Sequence, residues 1–146
     1  MTTAASQREN LRIVREIYDA VSRGDVPAIL DRVTDDIDWS AEADSHAAPW
    51  YGRRTGKAGV ASFFRDLADS IEITEFTPHS FAAGQDDVHL LVRWTFRSII
   101  TGQQASMTMH HYWRIRDGKI EHFRGSEDTE QTARILTPDL SLAPNP

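Results

Sequence analysis

Between Val88 and Glu127 apolar and polar residues alternate over three successive segments, separated by two short turn signals. Alternation of period two puts one set of side chains on each face of a strand, so this stretch reads as an antiparallel meander with one buried face. In the middle segment, Ser106 to Arg116, Met107, Met109, His111, Trp113 and Ile115 share a parity, against Thr108, His110, Tyr112 and Arg114. The more apolar set should face the core. In the segment before it, Val88 to Ile100, the matching residues are Val92, Trp94 and Phe96, opposite Arg93, Thr95 and Arg97. In the last, Lys119 to about Glu127, Phe123, Gly125 and Glu127 share one parity, and His122, Arg124 and Ser126 the other. Thr101-Gly102 makes the first turn. Asp117-Gly118 makes the second as a type I′ hairpin, because both central residues tolerate positive φ.

The half of the chain before this meander has mostly helical spacing. Ser6-Gln7-Arg8-Glu9 has the form of a capping box, followed by Leu11, Val14, Tyr18 and Val21 with Ile13 and Ile17 widening the stripe. Gly24 suits the left-handed position that ends a helix, and Asp25 and Pro27 start a second, shorter helix carrying Ile29, Leu30 and Val33. Ile37, Trp39 and Ala41 alternate with Asp38, Ser40 and Glu42 as a short strand. A loop through Pro49-Trp50-Tyr51-Gly52 precedes a third helix from Thr55 or Gly56 to about Asp69, with Val60, Phe63, Phe64 and Leu67 on one side. Ile71 and Ile73 open a further strand, in which Pro78 marks an edge or a bulge. Helices first and then a run of strands is an α+β order, and a curved antiparallel sheet wrapped over N-terminal helices closes a cone with a pocket at its mouth. The expected organisation is a single domain over residues 1–146, with a core of about 7–136 and a loose tail at 137–146.

Composition removes several function classes. With no cysteine, disulfides, thiolate metal sites and a cysteine nucleophile are excluded. A net charge of −6, with basic residues scattered, argues against nucleic acid. The one basic cluster, Arg53, Arg54 and Lys57, reads as a solvated loop. No apolar run approaches the roughly 20 residues of a membrane helix, and Met1 to Ser6 lacks the basic and apolar regions of a signal peptide, so a cytoplasmic address is expected. No cofactor is implied. His110 and His111 are adjacent on a strand and point to opposite faces, so they cannot converge on a metal.

Several segments together resemble the nuclear transport factor 2-like superfamily, in particular its SnoaL-like, ketosteroid isomerase-related branch. They are Glu9-Asn10-Leu11, Val14-Arg15, Tyr18-Asp19-Ala20, Gly24-Asp25, Asp35 to Trp39, Tyr51-Gly52, Gly59-Val60, Phe63-Phe64, Arg116 to Ile120 and Asp128-Thr129. The resemblance implies the cone-shaped, cystatin-like α+β fold and a homodimer formed through the sheet. Activities in the superfamily include isomerisation, polyketide cyclisation, dehydration and epoxide hydrolysis, and other members only bind ligands or proteins. Fold alone therefore implies a pocket and not a reaction.

His111 is the sharpest candidate for chemistry. Among Met109 and Trp113, desolvation favours its neutral imidazole, the form able to take a proton. In the polyketide-cyclase branch a matching histidine lies near an acid on the last strand, but that acid falls on Gly125 here. Glu127, of the same parity and about 7 Å further along, is the expected orienting carboxylate. Tyr18 matches the steroid-isomerase tyrosine that donates to an oxyanion. The base of that branch falls near Ala41, and Glu42 beside it faces the other way. The epoxide-hydrolase pattern fails for want of paired carboxylates near Arg93, Arg97 or Arg124. The expected pocket wall is Trp39, Trp50, Tyr51, Trp94, Phe96, Met109, Trp113 and Phe123, a lining suited to a small apolar molecule. The expected function is binding of a small, largely apolar metabolite in this pocket, with acid–base chemistry of the isomerase or cyclase type. The alternative is a non-catalytic ligand-binding or dimerisation module of the same fold.

Overall fold

A computed structural model describes residues 3–138. The first helix, α1 (Thr3–Arg23), presents Ile13, Val14, Ile17 and Tyr18 to the core. It begins before the expected cap, so Ser6 lies inside the helix and the Ser6–Glu9 capping box does not form its start. Nothing in Thr3-Ala4-Ala5 breaks a helix, and alanine is its best former. At the other end Gly24, at φ 66, ends α1 as expected. The amide of Asp25 reaches Ala20 O at 2.9 Å and that of Gly24 reaches Val21 O at 3.0 Å, the paired bonds of a Schellman motif. Asp25 then caps α2 (Val26–Leu30) by accepting from the Ala28 amide at 3.1 Å.

This second helix is shorter than its apolar spacing suggests. Val33 belongs instead to β1 (Val33–Glu42), where it pairs with Ile120, because a β-branched residue beside a free sheet neighbour gains more from pairing than from another helical turn. The segment expected to be loop contains a short strand, β2 (Gly52–Thr55), antiparallel to Asp38–Ala41. It leads directly into α3 (Gly56–Ser70) and β3 (Ile71–Ala83). The meander follows as β4 (Asp87–Ser98), β5 (Gln104–Arg116) and β6 (Lys119–Ser126), and the described chain closes with α4 (Thr129–Leu136). Ile99 and Ile100 leave β4 and stand 50% and 78% exposed in a turn closed by Ser98 N–H to Gln103 O at 2.9 Å. Asp117 and Gly118 carry φ values of 51 and 77, as a type I′ turn requires. Residues 137 and 138 follow α4 without regular structure, and the remainder of the expected tail, 139–146, lies outside the described residues.

The six strands form one open, curved sheet in the order β2-β1-β6-β5-β4-β3. All neighbours are antiparallel except β1 and β6, which run parallel. Pro78 sits on the edge strand β3, near a register shift between His79 and Ala82 where Ser80 takes φ 57. One face of the sheet covers α1 and α3. Asn10 of α1 is buried and pins the helix to the β3–β4 turn by donating to Gln85 O at 2.8 Å. The other face is polar, and its cross-strand pairs include Arg124–Asp38 at 3.0 Å and Arg114–Glu121 at 3.3 Å. Partly exposed pairs of this kind contribute roughly 0–1 kcal/mol each, so burial on the inner face carries the fold.

Candidate active site

Cross-strand register makes the cavity. Trp39, Phe123 and Trp113 lie side by side on β1, β6 and β5, with ring centroids 4.2 Å apart for the first pair and 4.4 Å for the second. Two residues along each strand, the neighbouring row is Ala41, Gly125 and His111. A wall of three large rings therefore adjoins a row in which two of three positions carry almost no side chain, and space opens over the imidazole. The resulting cavity is about 70 Å³. Trp94 and Met109 extend the sheet side, Trp50 adds to the wall from the turn before β2, and Tyr18 and Val21 of α1 with Phe63, Phe64 and Leu67 of α3 close it from the helices.

Three groups in this apolar lining can hold or move a proton. The Trp113 indole N–H donates to the Tyr18 hydroxyl at 2.9 Å, and that hydroxyl lies 2.5 Å from His111 Nδ1. Desolvation, with a smaller contribution from His110, lowers the His111 pKa to about 3, so its imidazole is neutral at ordinary pH. Burial also pushes the Tyr18 phenol well above its usual range. Glu127 follows the end of β6. Its carboxylate accepts from Trp50 Nε1 at 3.2 Å, the Tyr51 hydroxyl at 3.3 Å and the Thr132 hydroxyl at 2.5 Å. Burial raises its pKa, and those three hydrogen bonds oppose the rise.

The SnoaL-like domain model matches residues 14–123, which includes the aromatic row, Tyr18 and His111. The chain belongs to the SnoaL-like family. No curated protein matches the sequence. Solved structures do. An NTF2-like protein from Burkholderia pseudomallei is 25% identical, with a TM-score of 0.82 over 89% of this chain and 98% of that one. Another, from Burkholderia xenovorans, is 26% identical with a TM-score of 0.81 over 94% and 99%. A Rhodopseudomonas palustris protein described provisionally as an isomerase is 26% identical with a TM-score of 0.69 over 85% and 95%.

Within this SnoaL-like site most sequence candidates converge, with three corrections. Phe96 does not line the cavity: it is fully buried on the same face of β4, and its ring packs beside Trp94 with centroids 4.1 Å apart. Tyr51 is likewise outside the lining, and its hydroxyl braces Glu127. Glu127 lines the cavity, but its hydrogen bonds run to Trp50, Tyr51 and Thr132, and the group at His111 Nδ1 is Tyr18 instead. A glutamate just past the strand end meets the donors of the neighbouring loop and of α4 before it can reach back along β6.

Other candidates fall on the outer face. Glu42 pairs with Arg124 at 2.9 Å, as alternation requires. The basic cluster is solvated at Arg53 but is not a loop, since Arg53 and Arg54 lie on β2 and Lys57 in α3; Arg53 pairs with Asp38 at 2.9 Å, Arg54 with Asp66 at 2.9 Å and Lys57 with Asp35 at 3.9 Å. Among the described residues no three of His, Asp and Glu are grouped to hold a metal. The helical wall of Phe63, Phe64 and Leu67 was visible in the sequence only as a core stripe, since a stripe has the same spacing whether it packs on a sheet or borders a cavity.

Proposed function

We propose that this cavity binds a small, largely apolar metabolite and carries out acid–base chemistry of the isomerase or cyclase type on it. The observation that carries this reading is the cavity itself, an apolar enclosure whose proton-bearing groups are Tyr18, His111 and Glu127. In such a low-dielectric site a single well-placed donor or carboxylate acts more strongly than in water. The provisional description of the Rhodopseudomonas palustris neighbour as an isomerase agrees with it. The test is deuterium exchange from solvent into carbon positions next to the carbonyl of small cyclic ketones, followed by mass spectrometry. Exchange faster than buffer and abolished in Glu127→Gln supports the chemistry.

A second reading, a non-catalytic binding module, has its own support. Gly125 stands where an acid would face His111, and three donors already hold Glu127. Ligand binding without any exchange would favour it. We further propose a homodimer through the outer face of the sheet. There Tyr112 packs against His89 and His122, with centroids at 4.8 and 6.0 Å, an aromatic cluster on an otherwise polar surface.

A further inference from the structure

The hydrogen-bond count around Tyr18 decides which nitrogen of His111 carries its proton. A phenolic hydroxyl has one hydrogen to donate and two lone pairs to accept with, whereas an indole N–H only donates. Trp113 donates to the Tyr18 oxygen at 2.9 Å, and the hydroxyl's other close partner is His111 Nδ1 at 2.5 Å. With Nδ1 protonated, the hydroxyl would accept from both neighbours, and its own hydrogen would lie buried without an acceptor among the described residues. That carries the full desolvation cost of an unpaired donor. The hydroxyl therefore donates to Nδ1. Because burial keeps the imidazole neutral, its single proton is on Nε2.

Gly125 exposes that nitrogen. It is the cross-strand partner of His111, and a Cβ at this position would lie 3.3 Å from His111 Cδ2 and 3.5 Å from Nε2. The hydrogen bond that His111 makes among the described residues is at Nδ1, so Nε2–H faces the space that Gly125 leaves. The Trp39 and Trp94 indole N–H groups, which also have no acceptor among the described residues, are enclosed by packing and do not open on this space.

We propose that His111 is a hydrogen-bond donor to the ligand through Nε2–H, not a proton acceptor, and that the ligand is a small, flat, apolar molecule bearing a carbonyl or enolate oxygen. This rests on the reading of the cavity as a ligand site. Tyr18 is a positioning residue that holds the tautomer, and Glu127 is left as the group to take a proton from the ligand.

The test uses the full 15N-labelled chain with 1-indanone and indane, which differ by the carbonyl alone. In the ligand-free protein, imidazole 15N spectra should show His111 protonated at Nε2 and bare at Nδ1, the signals assigned by their loss in His111→Gln. Tryptophan fluorescence should give about tenfold tighter binding of 1-indanone than of indane. Gly125→Ala, which brings a methyl group against Nε2, should reduce that ratio. Tyr18→Phe gives a second route and should release the single tautomer. A proton on Nδ1 in the wild-type protein, or equal binding of the two compounds, overturns the inference alone. Binding of neither compound overturns the ligand-site reading, and this inference with it.

Discussion

A histidine's ordinary pKa is 6.5, and burial lowers that of His111 to about 3 in this site. Between those values the unfolded chain holds the proton more tightly, so the contribution of His111 to stability is intact above pH 6.5 and is lost as pH falls toward 3. By pH 5 the loss reaches about 2 kcal/mol. Glu127 works in the opposite direction: its raised pKa makes the folded state hold the proton, and stability declines as pH rises past 4.5. Urea denaturation at pH 7 and pH 5 separates the two effects. His111→Gln should lose about 2 kcal/mol less than wild type over this interval, and an equal fall in both would refute the shift. Tyr18→Phe leaves the Trp113 N–H and His111 Nδ1 without their partner, and should destabilise by about 2 kcal/mol in the same assay at pH 7.

Elements meet at Glu127, which links the segment before β2, the end of β6 and the first turn of α4 through three hydrogen bonds. Glu127→Gln keeps the shape but replaces one accepting oxygen with a donor, so either Trp50, or Tyr51 and Thr132 together, lose their acceptor. The expected cost is about 1–3 kcal/mol, with hydrogen exchange accelerated in α4 before the sheet. The hairpin between β5 and β6 gives a second check. Gly118 holds φ 77 with nothing within 4 Å of a built Cβ, so Gly118→Ala costs backbone strain alone. About 1 kcal/mol is expected, read as a shifted denaturation midpoint with unchanged slope.

For the whole molecule, the open question is what covers the outer face of the sheet. The proposed dimer should appear in sedimentation equilibrium at micromolar concentration. Tyr112→Glu, which places a like charge beside Asp87 at the centre of the aromatic cluster, should shift it to monomer. A wild-type monomer would remove the proposal. Wild type and variant with the same mass would move the interface elsewhere.

Alternation and turn chemistry are local properties, which is why the meander, its inner face and the Asp117-Gly118 turn could be read from the chain alone. The inward direction of Met109, His111 and Trp113 follows from residue order whatever the sheet does next. Four matters were decided by tertiary structure. Val33 left its helical pattern because β6 offered it a strand partner, and β2 formed because β1 had a free edge. Whether Phe96 or Phe63 borders the cavity depends on how the helices seat, since both are equally apolar in sequence. The partner of His111 is the clearest case. Tyr18 is 93 residues away, and helix packing brings it to Nδ1, while Glu127, 16 residues from His111 by number, is held by donors that its own strand end meets first. Hydrogen-bond partners are chosen by distance in space, and no spacing along the chain encodes it.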